Sequence, residues 1–419
     1  VSTREAVAAI LGGGVASGLY PLTRERAKAA IPFAGKYRLI DIALSNCLNS
    51  HVNRAYVLTQ FNSVSLHRHI YQTYKFDSFS GGWVRILAAE QTPAYTSWDR
   101  GSADAVRRQI HEILASDPSE IVVMAGDQLY RMDLRKPLSF HREREADVTM
   151  VCRAVESRRA VRLGLVKLDE LNRVRAFTEK PGDRATLSGW SVLDDPTSPY
   201  LASMGIYVFN PLALATLLER TQGAHFGSDV IPVALERHRI FAYEFHGYWE
   251  DIGNIRSFYE ANLALTRPNA PFDLYDPGAP LYTRPRFLPS SRTDGCHLRD
   301  TLIASGCCLT SVDAEHTIVG LRSQIGEGTR LRDAVLLGAD YYETEEERRT
   351  NRRLGRPDVG IGEACTIEGA LVDKNARIGN EVSIRSHQGE ADAETEMYVV
   401  REGVVIIPKR AVIPDGTVI

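Results

Sequence analysis

The chain has 419 residues, 44% of them hydrophobic, with 50 Lys and Arg against 53 Asp and Glu for a formal net charge of −3. That apolar content buries one large core and a smaller one, so two domains are expected and disorder is not. A near-neutral balance provides no basic field for displacing phosphate counterions, which excludes nucleic acid as the expected partner, and no apolar run approaches the ~20 residues that span a bilayer, so no membrane partner is expected either.

In chain order, the first ~270 residues alternate short β-branched apolar runs with longer amphipathic stretches, the pattern of an α/β sheet covered by helices. Expected strands are Ala6–Leu11, Arg54–Leu58, Ile121–Ala125, Val148–Cys152 and Gly205–Phe209; Ala103–Ala115 and Ile255–Thr266 read as helices. From Pro268 the texture changes. Pro268, Pro271, Pro277, Pro280, Pro285 and Pro289 prevent a regular helix and mark a linker. Beyond it aliphatic residues recur at every sixth position: Ile303 and Leu309; Val319, Ile325, Leu331 and Leu337; Val372, Ile378 and Ile384; Ile407, Ile413 and Ile419. One inward aliphatic per flat face of about six residues is the signature of a parallel β-helix, whose coils stack into a continuous core. Ile325-Gly326, Ile361-Gly362 and Ile378-Gly379 place a small residue where the coil turns, and Tyr341 to Arg356 interrupts the period as a protruding insertion. The division expected is 1–270, a linker over 271–300, and a β-helix over 301–419.

Leu11-Gly12-Gly13-Gly14-Val15-Ala16-Ser17-Gly18-Leu19 follows the first expected strand, where flexible backbone N–H groups can turn towards a polyphosphate. Leu19 and Tyr20 exclude a P-loop, and the glycine spacing excludes a dinucleotide fingerprint. Alone, the loop also suits a bare strand-to-helix turn. It continues through Pro21-Leu22-Thr23, Arg26-Ala27-Lys28, Pro32-Phe33-Ala34-Gly35-Lys36-Tyr37-Arg38-Leu39-Ile40-Asp41 and Leu44-Ser45-Asn46. Further on come Gly101-Ser102-Ala103-Asp104-Ala105-Val106, Ala125-Gly126-Asp127-Gln128-Leu129-Tyr130, Phe177-Thr178-Glu179-Lys180-Pro181, Ala202-Ser203-Met204-Gly205-Ile206-Tyr207, Tyr248-Trp249-Glu250-Asp251-Ile252-Gly253 and Asp373-Lys374-Asn375-Ala376-Arg377-Ile378-Gly379. This ordered set resembles the ADP-glucose pyrophosphorylases, the glucose-1-phosphate adenylyltransferases. In Tyr56 to Ser63 and Gly338 to Thr344 it is most similar to their plant and cyanobacterial branch.

The resemblance implies a Rossmann-like nucleotidyltransferase domain followed by a left-handed parallel β-helix. It implies an enzyme that makes ADP-glucose and pyrophosphate from ATP and α-D-glucose 1-phosphate for glycogen or starch synthesis. Phosphoryl-group chemistry asks chiefly for placement and charge neutralisation, because an anionic nucleophile must approach an anionic α-phosphate. The resemblance assigns Asp127 and Asp251 to Mg²⁺, a hard ion suited to carboxylate oxygens. Lys28 is the compact cation for the departing pyrophosphate. Gly12, Gly13 and Gly14 would cradle phosphate; Gln91 and Gly101 would hold the adenine end; Gly164, Glu179, Lys180 and Ser203 would form the sugar-phosphate pocket. Asp104 reads equally as a charge at a helix start.

The chain departs from the family pattern in four places. Ala16 replaces a loop glycine, Gly18 replaces a basic residue facing the pyrophosphate, Ala29 replaces a proline, and Asp99 replaces an aromatic. Loss of one such charge in a water-poor site costs roughly 10²–10³ in turnover, so impaired turnover is an expectation. Two alternatives stay open: a catalytically weakened regulatory subunit of a mixed assembly, and a pyrophosphorylase using another nucleotide. Arg68, His69, Arg284, Arg286, Lys374 and Lys409 match positions that imply an anionic metabolite effector, and the family implies a homo- or hetero-tetramer. Cys47, Cys152, Cys296, Cys307, Cys308 and Cys365 contain no C-x-x-C pair, which argues against a disulfide scaffold and a zinc site. A reducing cytoplasm is expected, or a plastid stroma if a transit peptide once preceded Val1.

Overall fold

The computed structural model describes residues 5–77, 79, 81–91, 97–183 and 185–419. The chain packs as two compact units. The first comprises Val1–Gly14, Ile42–Trp249 and Asp276–Tyr282; the second comprises Val15–Asp41, Glu250–Tyr275 and Thr283–Ile419.

The first unit is built on a mixed nine-stranded sheet. Its strands are β1 Val7–Leu11, β2 Arg54–Thr59, β3 Trp83–Ala88, β4 Ile121–Ala125, β5 Val148–Val155, β6 Leu165–Leu168, β7 Val174–Thr178, β8 Tyr200–Phe209 and β9 Ile240–Glu244. The main order is β7-β6-β8-β4-β1-β2-β3, with β5 paired to β8 and β9 paired to β5. Strands β4, β1, β2 and β3 run parallel, and Ile10 stands beside Val57 on one side and Met124 on the other. Parallel strands are covered on both faces, which is why Val7 to Ile10 are apolar without alternation and fully buried. Strand β8 runs antiparallel to β4, β5 and β6, and a register shift between Ser203 and Ile206 bends it. Helix α1 spans Val64–Thr73 and helix α2 spans Ser102–Ala115. Ala103, Val106 and Ile113 on α2 enter a core shared with Val7, Tyr56, Val123, Met150 and Phe209.

The second unit carries the β-helix. No helix or strand falls between Ala264 and Arg292, as the prolines require. The aliphatic period then appears as stacked columns of parallel pairs, except that Leu336, and not the expected Leu337, stands between Val319 and Val372. Leu309 stands on Ile325, then Ile361, Ile378 and Ile413; Val319 stands on Leu336, then Val372 and Ile407; Leu331 stands on Ile367, then Ile384. All belong to one buried cluster, with Ile303 and Ile419 packed at its margins.

The corner glycines have a different reason from the expected one. A Cβ on Gly326 would lie 2.6 Å from the Gly362 backbone, and one on Gly362 would lie 2.5 Å from the Gly379 carbonyl oxygen. They permit coils to approach each other, with no left-handed φ. The insertion is more ordered than a protruding loop. It contains helix α4, Glu345–Arg353, following helix α3, Ile255–Ala264, in chain order. A Thr344/Glu347 capping box starts α4, each side chain bonding the other's backbone N–H. All six cysteines are free, and among the described residues no helix is long and apolar enough to cross a membrane.

Candidate active site

In the first unit the glycine loop leaves the C-terminal end of β1, between the ends of β2 and β4. The Gly12 N–H donates to the Leu58 carbonyl at 2.8 Å, and the Gly126 N–H donates to the Leu11 carbonyl at 2.9 Å. Gly12 and Gly13 are packed: a Cβ on either would meet β2 or the residue after it, at 3.3 Å or less in the case of Gly13. A Cβ on Gly14 would meet nothing within 4 Å. Asp127 follows Gly126 at the end of β4 and is half-buried. The loop and this carboxylate therefore share the carboxyl edge of adjacent parallel strands, where open α/β sheets bind ligands.

The proposed sugar-side residues also converge. The Ser203 N–H donates to the Gly164 carbonyl at 2.8 Å, and Ser203 Oγ accepts from the Gly205 N–H at 3.2 Å. Glu179 lies against Gly164, whose added Cβ would stand 2.8 Å from Oε2. Burial pushes the Glu179 carboxyl up, opposed by Lys180 and His225. Lys180 is exposed, its Nζ 3.9 Å from Glu179 Oε1. Gly101 precedes α2 and abuts the His225 ring. Gln91 is exposed beyond the end of β3, and its neighbours 92–96 lie outside the described residues.

Lys28 and Asp251 fall in the second unit. Lys28 opens a short 3-10 turn, Lys28–Ala30, and is half-buried; Ala29 beside it is 1% exposed. Asp251 ends the strand Trp249–Asp251 and is also half-buried. Between Gly14 and Lys28 the chain takes an unusual path. Ala16 adopts a left-handed conformation, φ 47° and ψ 57°. Gly18 then passes so close to the Asp251-Ile252-Gly253 turn that an added Cβ would lie 2.3 Å from the Gly253 carbonyl oxygen. The sequence presents Gly18 as a lost positive charge; in the structure it is also a place where no side chain fits.

Residues 7–267 match the family model described as nucleotidyl transferase, and residues 286–418 match that of the GLGC left-handed parallel beta-helix domain. The first match alone covers more than half of the chain. The chain belongs to the nucleotidyl transferase family. A nucleotidyl transferase carrying this β-helix is a combination consistent with the glucose-1-phosphate adenylyltransferases, and the family implies nucleotide and sugar-phosphate substrates.

Within this nucleotidyl transferase the second unit gathers a dense set of cations. Arg26 Nη1 bonds Asp373 Oδ1 at 2.8 Å, with side-chain exposures of 4% and 2%. Lys374 Nζ bonds Asp340 Oδ1 at 2.6 Å, while Asn375 Nδ2 donates to Asp340 Oδ2 at 3.1 Å. Burial brings Arg38 and Arg286 down to about 10, with Arg26 and Arg284 adding repulsion respectively. Burial also brings Lys374 down to about 8, although Asp340 supports its charge. Asp340 goes the other way: against its own burial, Lys374 and Asn375 hold it far below the carboxylate range. Lys409 bonds Glu25 at 3.3 Å and also acts on Asp340.

Of the expected effector residues, Arg284, Arg286, Lys374 and Lys409 belong to this cluster. Arg68 and His69 lie in the first unit on α1, Arg68 exposed and His69 buried beside Tyr74. Sequence reasoning left Arg26, Arg38 and Asp340 without a role, although they stand in the R-A-K, K-Y-R and G-A-D segments. Nothing in their local sequence shows that they meet.

Proposed function

We propose that this chain is an adenylyltransferase joining ATP and α-D-glucose 1-phosphate into ADP-glucose and pyrophosphate, for glycogen or starch synthesis, within the plant and cyanobacterial branch of its family. The observation that carries the reading is the glycine loop beside Asp127 at the carboxyl edge of β1 and β4. The sugar phosphate's oxygen attacks the α-phosphorus, the bond to the β-phosphate oxygen breaks, and pyrophosphate leaves. Gly13 and Gly14 supply backbone donors to the triphosphate, while Gly12, whose N–H is already bonded to the Leu58 carbonyl, lets the loop pass close to β2. Gln91 and Gly101 hold the adenine end, Gly164, Glu179, Lys180 and Ser203 hold the glucosyl phosphate, and Lys28 balances charge on the leaving group.

Asp127 and Asp251 are carboxylates of the type Mg²⁺ prefers. Among the described residues no three His, Cys, Asp or Glu side chains gather to hold an ion alone. A cation held by either carboxylate would complete its shell with water and phosphate oxygens, as Mg²⁺ does. When bound, it supplies neutralisation of the triphosphate charge.

Regulation is part of the proposal. Arg38, Arg286, Lys374 and Lys409 concentrate positive charge suited to an anionic metabolite, with Arg26 and Arg284 beside them and Arg68 and His69 assigned by family resemblance alone. The family's tetramer, homomeric or mixed, and the cytoplasm or plastid stroma complete the reading.

A second reading has its own support. The close pass of Gly18 against Gly253 leaves no room for a cation at that position, as in a weakened regulatory subunit. Incubating the purified chain with glucose 1-phosphate, Mg²⁺ and each of the four nucleoside triphosphates separates the readings. ADP-glucose from ATP alone supports the proposal. No product from any triphosphate supports the regulatory subunit, and a product from another triphosphate shows a different nucleotide specificity.

A further inference from the structure

Glu179 sits in a slot whose walls are two backbone positions far apart in sequence. From one side, a Cβ on Gly164 would stand 2.6 Å from Phe177 Cζ and 2.8 Å from Glu179 Oε2. From the other side, a Cβ on Gly227 would stand 2.3 Å from Oε2, 2.8 Å from Cδ and 3.3 Å from Oε1. All three atoms nearest Gly227 belong to the Glu179 carboxylate. A van der Waals contact is about 3.5–4.0 Å, so any side chain at position 227 takes the space that the carboxylate now occupies.

Gly227 is itself held firmly. It lies in a π-helical turn, Phe226–Val230, a conformation found mostly as single turns and often at functional sites. Phe226 is 2% exposed and packs against Tyr207 and Phe209, with ring centroids 5.7 Å away in each case. The Phe226 N–H donates to Ser102 Oγ at 3.2 Å, and the His225 N–H donates to Asp229 Oδ2 at 2.8 Å. When a larger residue is placed at 227, the anchored turn stays and the end of the flexible glutamate side chain moves.

We infer that Gly227 is a positioning residue: with Gly164 it forms a slot that fixes the Glu179 carboxylate for the hydroxyl groups of the sugar phosphate. The inference rests on the proposed sugar-binding role of Glu179. It assigns the turn 225–229 a task in substrate selection that is separable from folding.

The test uses the full chain and Gly227→Ala, Glu179→Ala and the double substitution. For Gly227→Ala the melting temperature stays unchanged, KM for glucose 1-phosphate rises on the order of tenfold, the cost of one misplaced charge-assisted hydrogen bond, and KM for ATP stays within about twofold. In the Glu179→Ala background, where no carboxylate is left to displace, Gly227→Ala adds nothing to the loss. A Gly227→Ala enzyme with wild-type KM, a rise in both KM values together with a lower melting temperature, or independent multiplication of the two losses would each overturn the inference. Unchanged KM for glucose 1-phosphate in Glu179→Ala overturns the role of Glu179 itself, and a wild type without turnover overturns the activity on which both rest.

Discussion

Gly18 shows how one position carries two meanings. The atom that a new Cβ would meet, the Gly253 carbonyl oxygen, is backbone and cannot swing away. Gly18→Ala should therefore lower stability by about 1–3 kcal/mol through overpacking, read as a shift of the denaturant midpoint; an unchanged midpoint would show that the loop opens at little cost. Lys374 should make both stability and anion affinity depend on pH. Its ammonium titrates near 8 in the folded chain against an ordinary 10.5, so between these values the unfolded chain holds more protons. This group's contribution to stability therefore rises with pH across that window, and its burial cost is fully present below it. Anion binding at the proposed effector cluster should follow the opposite course, because the Lys374 charge that it would use is lost above about 8. Affinity for sulfate, whose own charge is constant here, should fall between about pH 7 and about pH 9. Lys374→Arg should flatten that fall, and a wild type with equal affinity at both values would remove Lys374 from the site.

At the scale of elements, the β-helix was legible because its repeat is local in sequence: each aliphatic needs only its neighbours one coil away. In the first unit β1, β2, β4, β5 and helix α2 were legible for the same reason, through continuous apolar runs and an amphipathic stretch, whereas β3, β6, β7, β9 and helix α1 were not picked out. Strand β8 was seen only in its second half, since Ser203 and Gly205 belong to a bend that breaks the apolar pattern. Helix α4 went unread, although Thr344 and Glu347 form a capping box, because its charged surface has no apolar stripe. Solenoid stability is close to a sum over neighbouring coils. Ile378→Ala, in a side chain 1% exposed between Ile361 and Ile413, should thus cost about 2–5 kcal/mol. Amide exchange should accelerate first in the coils around it. A loss spread evenly over the sheet of the first unit would contradict that local picture.

For the whole molecule, the chain does not enter its two units in simple succession. Val15–Asp41 and Glu250–Tyr275 pack with the unit that holds the β-helix, and Arg26 meets Asp373 across 347 residues of sequence. Hydrophobic period and turn chemistry carry no information about such distant partners. The cation cluster was consequently visible only as scattered basic residues, whereas Asp127 and the glycine loop were legible as motifs tied to strand ends. Asp127, beside this loop, is the carboxylate on which ADP-glucose formation is proposed to depend. The most direct measurement is ADP-glucose formation from ATP and glucose 1-phosphate by the purified chain and by Asp127→Asn, with thermal unfolding of both. The wild type should turn over, and the variant should fold equally well with activity reduced by roughly 10³ or more; a folded Asp127→Asn variant with wild-type activity would show that this carboxylate does not serve the reaction.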